Sequence, residues 1–431
     1  MAFDLHRRIL KGVFLVTAFF TFGKLMALGK DIGFAQRFGV SGRYDVYLLA
    51  IVVVTWAPLV ISSIAQSVLV PAISKLNNNL RKKFHSELIT WTSVVGVIFT
   101  VFVYLYASQL TRLFSSQLGV EAQSELIVLI RGMSSVSFLT CLIAIYSSEL
   151  LARENHVNTL YEAIPSFILV IALFFHSSIS DSLSVLIWVT VFGLMLQAAA
   201  LVFHTNIQYV STRINFSVTS PAWVDVRNGF SILLIGSVAL SFVSPIDQYF
   251  AASHGEGGVS TFGFANRLLV VGVGLAVTVI SRALLPILCD ANISSARRKK
   301  IAVQWCIFSF LCACVSIAIV YPIVDDVVRL IYERGKFTSE NTREVSRLVI
   351  IGLTQLPSLF AGMVLVQYFV SCQRYFIIAI SGCIGVFVKF ISAAILIDEY
   401  ALSGLMISTS LMWLSTFLYF GVVMFSGRFD E

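Results

Sequence analysis

Charge is what this chain has least of: only 12% of its 431 residues are Asp, Glu, Lys or Arg, while 58% are hydrophobic, against roughly 25% charged in an ordinary soluble domain. A water-soluble globule is excluded. Ten-residue segments of alternating polarity are also missing; the apolar runs are long and continuous, as in YLLAIVVVTWAPLVISSIAQSVLV, which excludes an outer-membrane barrel and favours helices. The seven cysteines include no C-x-x-C pair, so neither a disulfide framework nor a zinc site is expected, and thiols in apolar runs act as small hydrophobes. Catalytic motifs are equally scarce. No H-E-x-x-H or G-x-S-x-G occurs, and the six histidines are scattered. The stretch GKLMALGKD puts Asp31 where a phosphate loop needs Ser or Thr. Asp325–Asp326 has no ligand set around it. No enzyme, metal or cofactor is expected. The net charge of +7 comes without a basic tail, and in such a chain it reports topology and lipid contact rather than nucleic acid.

What the chain has is hydrophobic spans. Apolar windows of about 18–28 residues fall near 11–28, 45–72, 88–107, 125–147, 158–176, 183–204, 227–250, 259–288, 301–323, 346–370, 375–397 and 401–425. The start, MAFDLHRRILKGVFLVTAFF, has signal-like features, but Lys24 and GKDIGFAQRFG continue it, so an uncleaved first helix is expected. With the N-terminus cytoplasmic, the inner loops and tails collect 16 basic residues and the outer ones 9, as the positive-inside rule requires.

An internal echo pairs LVPAISKLNNNLRKK (69–83) with LLPILCDANISSARRKK (284–300), and a second pairs residues 111–132 with 328–352. These echoes predict an all-α, polytopic membrane protein of about twelve transmembrane helices. They form two six-helix lobes, 1–212 and 213–431, related by a parallel repeat around a central cavity.

Five cations, Lys24, Arg131, Arg267, Arg282 and Lys389, fall inside expected crossings, where a central charge costs about 2.5–3.5 kcal/mol and so faces a cavity or a partner. Arg131 and Arg282 lie near helix ends and are read as snorkelling. Lys24 and Lys30 sit six positions apart, about 120° around a helix. With Arg267 they would offer three cations to one phosphate or pyrophosphate. The competing reading has the two lysines snorkelling and Arg267 paired with Asp247. Lys389 is nearer mid-helix, with no acidic partner evident. Asp31, Asp45 and Asp247 either couple an ion, tune these cations, or, for Asp31 and Asp45, cap helices. Without an ATP site, the drive is expected from an ion gradient, the membrane potential or product consumption.

Three stretches, GKLMALGKDIGFAQRFGVSGRYD (23–45), DQYFAASHGEGGVSTFGFANRL (247–268) and ERGKFTSENT (333–342), make the chain resemble the MurJ/MviN family within the multidrug and oligosaccharidyl-lipid exporters. The resemblance implies a flippase for lipid II or a related undecaprenyl-pyrophosphate-linked saccharide, working in the inner membrane during peptidoglycan and cell-wall biogenesis. The implied substrate-binding set is Lys24, Lys30, Asp31, Asp45, Asp247 and Arg267, and the implied partners are the polyprenyl-linked saccharide, membrane lipid and a coupling ion. The chain departs from the family in having lysine for its usual arginine at 24 and 30, and in lacking a basic residue in VVVTWAPLVISS. The family also commonly has fourteen crossings, the last pair forming a groove for the lipid tail. Export of exopolysaccharide or O-antigen units on the same carrier is the alternative. A multidrug antiporter, which would need cavity carboxylates, and a membrane-embedded glycan-modifying enzyme rank below it.

Overall fold

The computed structural model describes residues 2–115, 118–153, 155, 157–176, 182–208, 214–289 and 294–426. These residues form eighteen α-helices and one short 3-10 turn, and they fall into two compact units, Met1–Gly39 with Val46–Ser231, and Val40–Asp45 with Ile232–Glu431. The expected lobe boundary at 212/213 lies at the edge of residues 209–213, outside the described part.

The first unit carries α1 (Ala2–Phe38), most of α2 (Gly42–Ser74), α3 (Asn78–Leu105), α4 (Ala107–Ser115), α5 (Val120–Gly132) and α6 (Ser135–Ala152). It continues with α7 (Val157–Tyr161), α8 (Ile164–Phe175), α9 (Leu183–Gln208) and the start of α10 (Ala222–Ser241). Leu69, Ile73, Phe84, Leu88, Ile145 and Ala222 form one of its cores. α1 ends at Gly39, whose φ of 60° suits glycine and whose N–H reaches back to the Phe34 and Ala35 carbonyls, a common way for a helix to stop. α1 also approaches α8 closely, since a Cβ at Gly33 would stand 2.9 Å from Leu173 Cβ. There Arg37 donates to the Leu173 carbonyl at 2.8 Å, a cation at the negative end of α8.

The second unit holds the rest of α10, then α11 (Val243–Ser253), α12 (Gly258–Leu288), α13 (Ser295–Val320), α14 (Val324–Tyr332) and α15 (Ser339–Leu353). α16 (Leu356–Ser371), α17 (Tyr375–Tyr400) and α18 (Leu402–Phe425) complete it. Leu284, Leu288, Val364, Phe369, Phe420 and Met424 are among the side chains of its core. The order of elements repeats the first unit: a long helix, a nine-residue helix and a second helix follow one another as α3–α4–α5 and again as α13–α14–α15.

Among the described residues eight helices are long and apolar enough to cross a membrane, or nine when α15 and α16, bent by 44°, count as one span. The three other expected crossings coincide with helix as well: α1, α10 with α11, and α12. Large apolar side chains such as Val97 and Ile98 on α3 and Leu311 and Ile319 on α13 are exposed, as lipid-facing surfaces require.

Candidate functional site

The two lysines of the expected set stand on α1 in the first unit. Lys24 is exposed, lies 5.2 Å from the centre of the Phe20 ring, and acts electrostatically on the Glu162 carboxylate. Asn158 steadies that carboxylate through a 2.9 Å hydrogen bond to Oε1. Glu162, in the break between α7 and α8, is a neighbour that sequence reading missed. Lys30 is half-buried and its ammonium sits 3.8 Å from the Asp31 carboxylate, which is itself buried. Arg131 is exposed over the Tyr104 ring, and the Arg282 side chain lies outside the described part.

Asp45, Asp247 and Arg267 belong to the second unit. Asp45 is fully buried and accepts 2.6 Å hydrogen bonds from the Gly257 and Ser260 main-chain N–H groups. A carboxylate at the first turn of α2 thus caps the positive end of α12 rather than its own helix. Glu256 returns the arrangement, its Oε1 accepting from Gly42 N at 3.2 Å. The chain can make this exchange because Gly255 and Gly257 take φ values of +100° and +87°, which only glycine adopts without strain.

Arg267, three turns along α12, donates from Nη1 to the Tyr44 hydroxyl, with its guanidinium carbon 5.6 Å from the Tyr44 ring centre and 5.9 Å from that of Phe264. Tyr44 and Phe264 are buried with their centroids 5.3 Å apart, and Phe264 packs on Tyr332 at 4.9 Å and Phe337 at 5.3 Å. Phe337 is delivered by the turn before α15, where Thr338 and Asn341 form a capping box and the Thr342 hydroxyl donates to Glu333 Oε2 at 2.7 Å. Residues from all three stretches that carried the family resemblance therefore meet in one aromatic cluster holding Arg267. The two ring contacts and the hydrogen bond hold the guanidinium in place among the aromatic side chains.

The pairing of Arg267 with Asp247 does not occur. Asp247 is paired with Lys389 instead, at 2.5 Å, so the carboxylate that sequence alone could not find for Lys389 comes from α11.

Two cavities within the units suit an anionic headgroup poorly. One of about 270 Å³, lined by Val68, Leu88, Trp91, Ile145, Trp223 and Val226, is almost wholly apolar. The other, about 450 Å³ in the second unit, sets Glu256, Glu344 and Glu399 against Arg347, the wrong sign for a pyrophosphate.

Helices long and apolar enough to span a membrane, with a guanidinium held among aromatic rings, place the chain among the helical multi-span membrane proteins. The family comparison gives the particular kind: the model described as "Lipid II flippase MurJ" matches residues 34–426, and the chain belongs to that family. It is 26% identical over 339 residues to "Probable lipid II flippase MurJ" of Bdellovibrio bacteriovorus, the match covering 77% of this chain and 64% of that protein. It is 23% identical to the protein of the same name from Buchnera aphidicola subsp. Schizaphis graminum, covering 96% of this chain and 82% of the relative. The chain thus spans slightly under two thirds of the Bdellovibrio relative's length. Among solved structures, a lipid II flippase MurJ in an inward closed conformation matches with a TM-score of 0.82 at 19% identity over 94% of this chain and 86% of the other. An inward-facing multidrug resistance MATE transporter of the MOP superfamily matches at 0.74 with 14% identity, over 94% and 95%. The shared property at such identities is the fold, a bundle of membrane-length helices.

Proposed function

We propose that this chain moves an undecaprenyl-pyrophosphate-linked saccharide, of the lipid II type, across the bacterial inner membrane by alternating access of an N-terminal lobe (1–212) and a C-terminal lobe (213–431), its N-terminus in the cytoplasm. Lys24, Lys30 and Arg267 serve the pyrophosphate during the cycle. Asp31 tunes Lys30, Asp45 fixes the segment that carries Tyr44, and Asp247 sets the charge of its own helix cluster. The observation that carries this reading is Arg267: a half-buried guanidinium held by Tyr44 and Phe264 keeps a positive charge at a fixed place on α12, where it attracts an anion. Family membership and the excess of 16 basic residues over 9 on the expected inner side support the cargo and the orientation.

The test is reconstitution of the purified chain in vesicles with fluorescent polyprenyl-pyrophosphate saccharides. Lipid II-type cargo should cross, and Lys24→Ala and Arg267→Ala should each slow it. Movement of O-antigen or exopolysaccharide units but not lipid II would replace the cargo, and undiminished flipping by both variants would overturn the site.

A further inference from the structure

Lys389 lies in α17 within a membrane-spanning helix and has no exposed surface. Its ammonium has three N–H donors and meets three oxygens: Asp247 Oδ1 of α11 at 2.5 Å, the Leu405 carbonyl of α18 at 3.1 Å and the Thr409 hydroxyl of α18 at 2.5 Å. The Thr409 hydroxyl donates its own proton to the Leu405 carbonyl at 2.9 Å, which turns its lone pairs toward the lysine. One carboxylate, one carbonyl and one hydroxyl, all hard oxygens on two helices, α11 and α18, are the donors that bind a small hard cation. Cohesion does not account for the arrangement, because an apolar trio of similar volume would be cheaper to bury than an ion pair.

We infer that Asp247, Leu405 and Thr409 form a monovalent-cation cage whose cation is supplied covalently by the chain itself, as the ammonium of Lys389. The occupied cage holds α11, α17 and α18 together in every salt, and the second unit needs no dissociable ion at this place. Removal of the side chain leaves a buried carboxylate, a carbonyl and a hydroxyl facing an ammonium-sized vacancy, which is a sodium site. The inference concerns the protein's own ion requirement and stands whichever saccharide is carried.

The experiment is thermal unfolding of the detergent-purified full chain in sodium, potassium, lithium, methylammonium and choline chlorides at matched ionic strength, with radioactive sodium binding alongside. The wild-type chain should show the same Tm in sodium and choline and bind no sodium saturably. Lys389→Ala should lose stability in choline, bind sodium saturably, and recover about 5 °C or more when sodium or methylammonium reaches about 100 times its Kd. Lys389→Ala with Asp247→Asn, which removes the uncompensated carboxylate, should fold and show no such response. Saturable stabilisation of the wild-type chain by sodium would overturn the inference. So would a Lys389→Ala chain that stays unstable in every cation while the double variant folds. Should neither variant fold, the wild-type titration decides alone, indifference to sodium supporting the cage and dependence refuting it.

Discussion

Removing the Asp45 carboxylate should be among the most damaging single changes in the second unit, and the structure sets how damaging. The side chain has no exposed surface and takes two main-chain donors at 2.6 Å, Gly257 N and Ser260 N, each a charged hydrogen bond of about 1.5–3 kcal/mol. Asp45→Ala gives up both, an upper figure of about 6 kcal/mol. The polar cavity of about 450 Å³ that Gly257 helps to line lets water reach one of the abandoned amides, so about 3 kcal/mol is the expected loss. Asp45→Asn keeps one acceptor and turns an amide N–H toward the second donor, for about half that loss. Glu256→Ala removes a single 3.2 Å contact at an exposed residue, worth about 0.3–1 kcal/mol at a helix N-terminus. At about 2–4 °C per kcal/mol for a unit of this size, thermal shifts in detergent should fall by about 6–12 °C, about 3–6 °C and under about 4 °C in that order. A drop for Asp45→Ala no larger than that for Glu256→Ala would refute the claim that the α2 carboxylate caps α12.

Three further outcomes follow from single contacts. Gly33→Ala forces a Cβ to within 2.9 Å of Leu173 Cβ and should cost about 1–3 kcal/mol, whereas Gly421→Ala in α18, with nothing within 4 Å, should gain about 0.5–1 kcal/mol from helix propensity; thermal shifts of opposite sign check the pair. Glu87 is buried in α3 and accepts from Ser217 Oγ at 2.6 Å, Trp223 Nε1 at 2.7 Å and Ser220 N at 3.3 Å. Glu87→Ala should therefore release residues 214–220, measured as faster cleavage there in limited proteolysis at unchanged cleavage elsewhere. Tyr44→Phe keeps the ring but not the hydroxyl that receives Arg267. Flipping should slow about tenfold, equal to about 1.4 kcal/mol, with little change in Tm, and equal rates for the two proteins would detach Tyr44 from the site.

The helices were legible because a membrane demands long apolar runs, and the echo of 111–132 at 328–352 falls on two similar helix pairs, α4–α5 and α14–α15. Partners were not. The competing reading pairs Arg267 with Asp247 of the neighbouring helix, yet Asp247 meets Lys389 on α17 and Arg267 meets Tyr44. Asp45 was read as a helix cap or a tuning charge. It is a cap, but of a helix more than 200 positions away, and nothing in one-dimensional spacing encodes that. Tyr44, Phe264 and Phe337 left only an indirect signal, as parts of three separate stretches that looked familiar, and Tyr332, just before the third, left none. Their common purpose, holding a guanidinium, appears only once the stretches are packed together.

The placement of the buried carboxylates decides what charge of cargo the protein suits. Asp31, Asp45, Glu87, Glu149 and Asp247 are the buried acidic side chains of the described residues, and every one is committed. Asp31 faces Lys30 at 3.8 Å, Asp45 caps α12, Glu87 binds residues 217–223, Glu149 takes Arg153 at 2.6 Å with His85 at 3.4 Å, and Asp247 holds Lys389. A carrier that turned one of these five carboxylates toward a cationic cargo would break a cap, a strap or an ion pair, at about 3–5 kcal/mol where the pair is buried. The cations are placed the other way: Lys24 is exposed on α1 and Arg267 is only half-buried, with its ring contacts fixing its plane. Cationic dyes should therefore neither cross reconstituted vesicles nor compete with a polyprenyl-pyrophosphate saccharide, while inorganic pyrophosphate should compete. Dye transport that disappears with one of these five carboxylates would show that the acid is available after all.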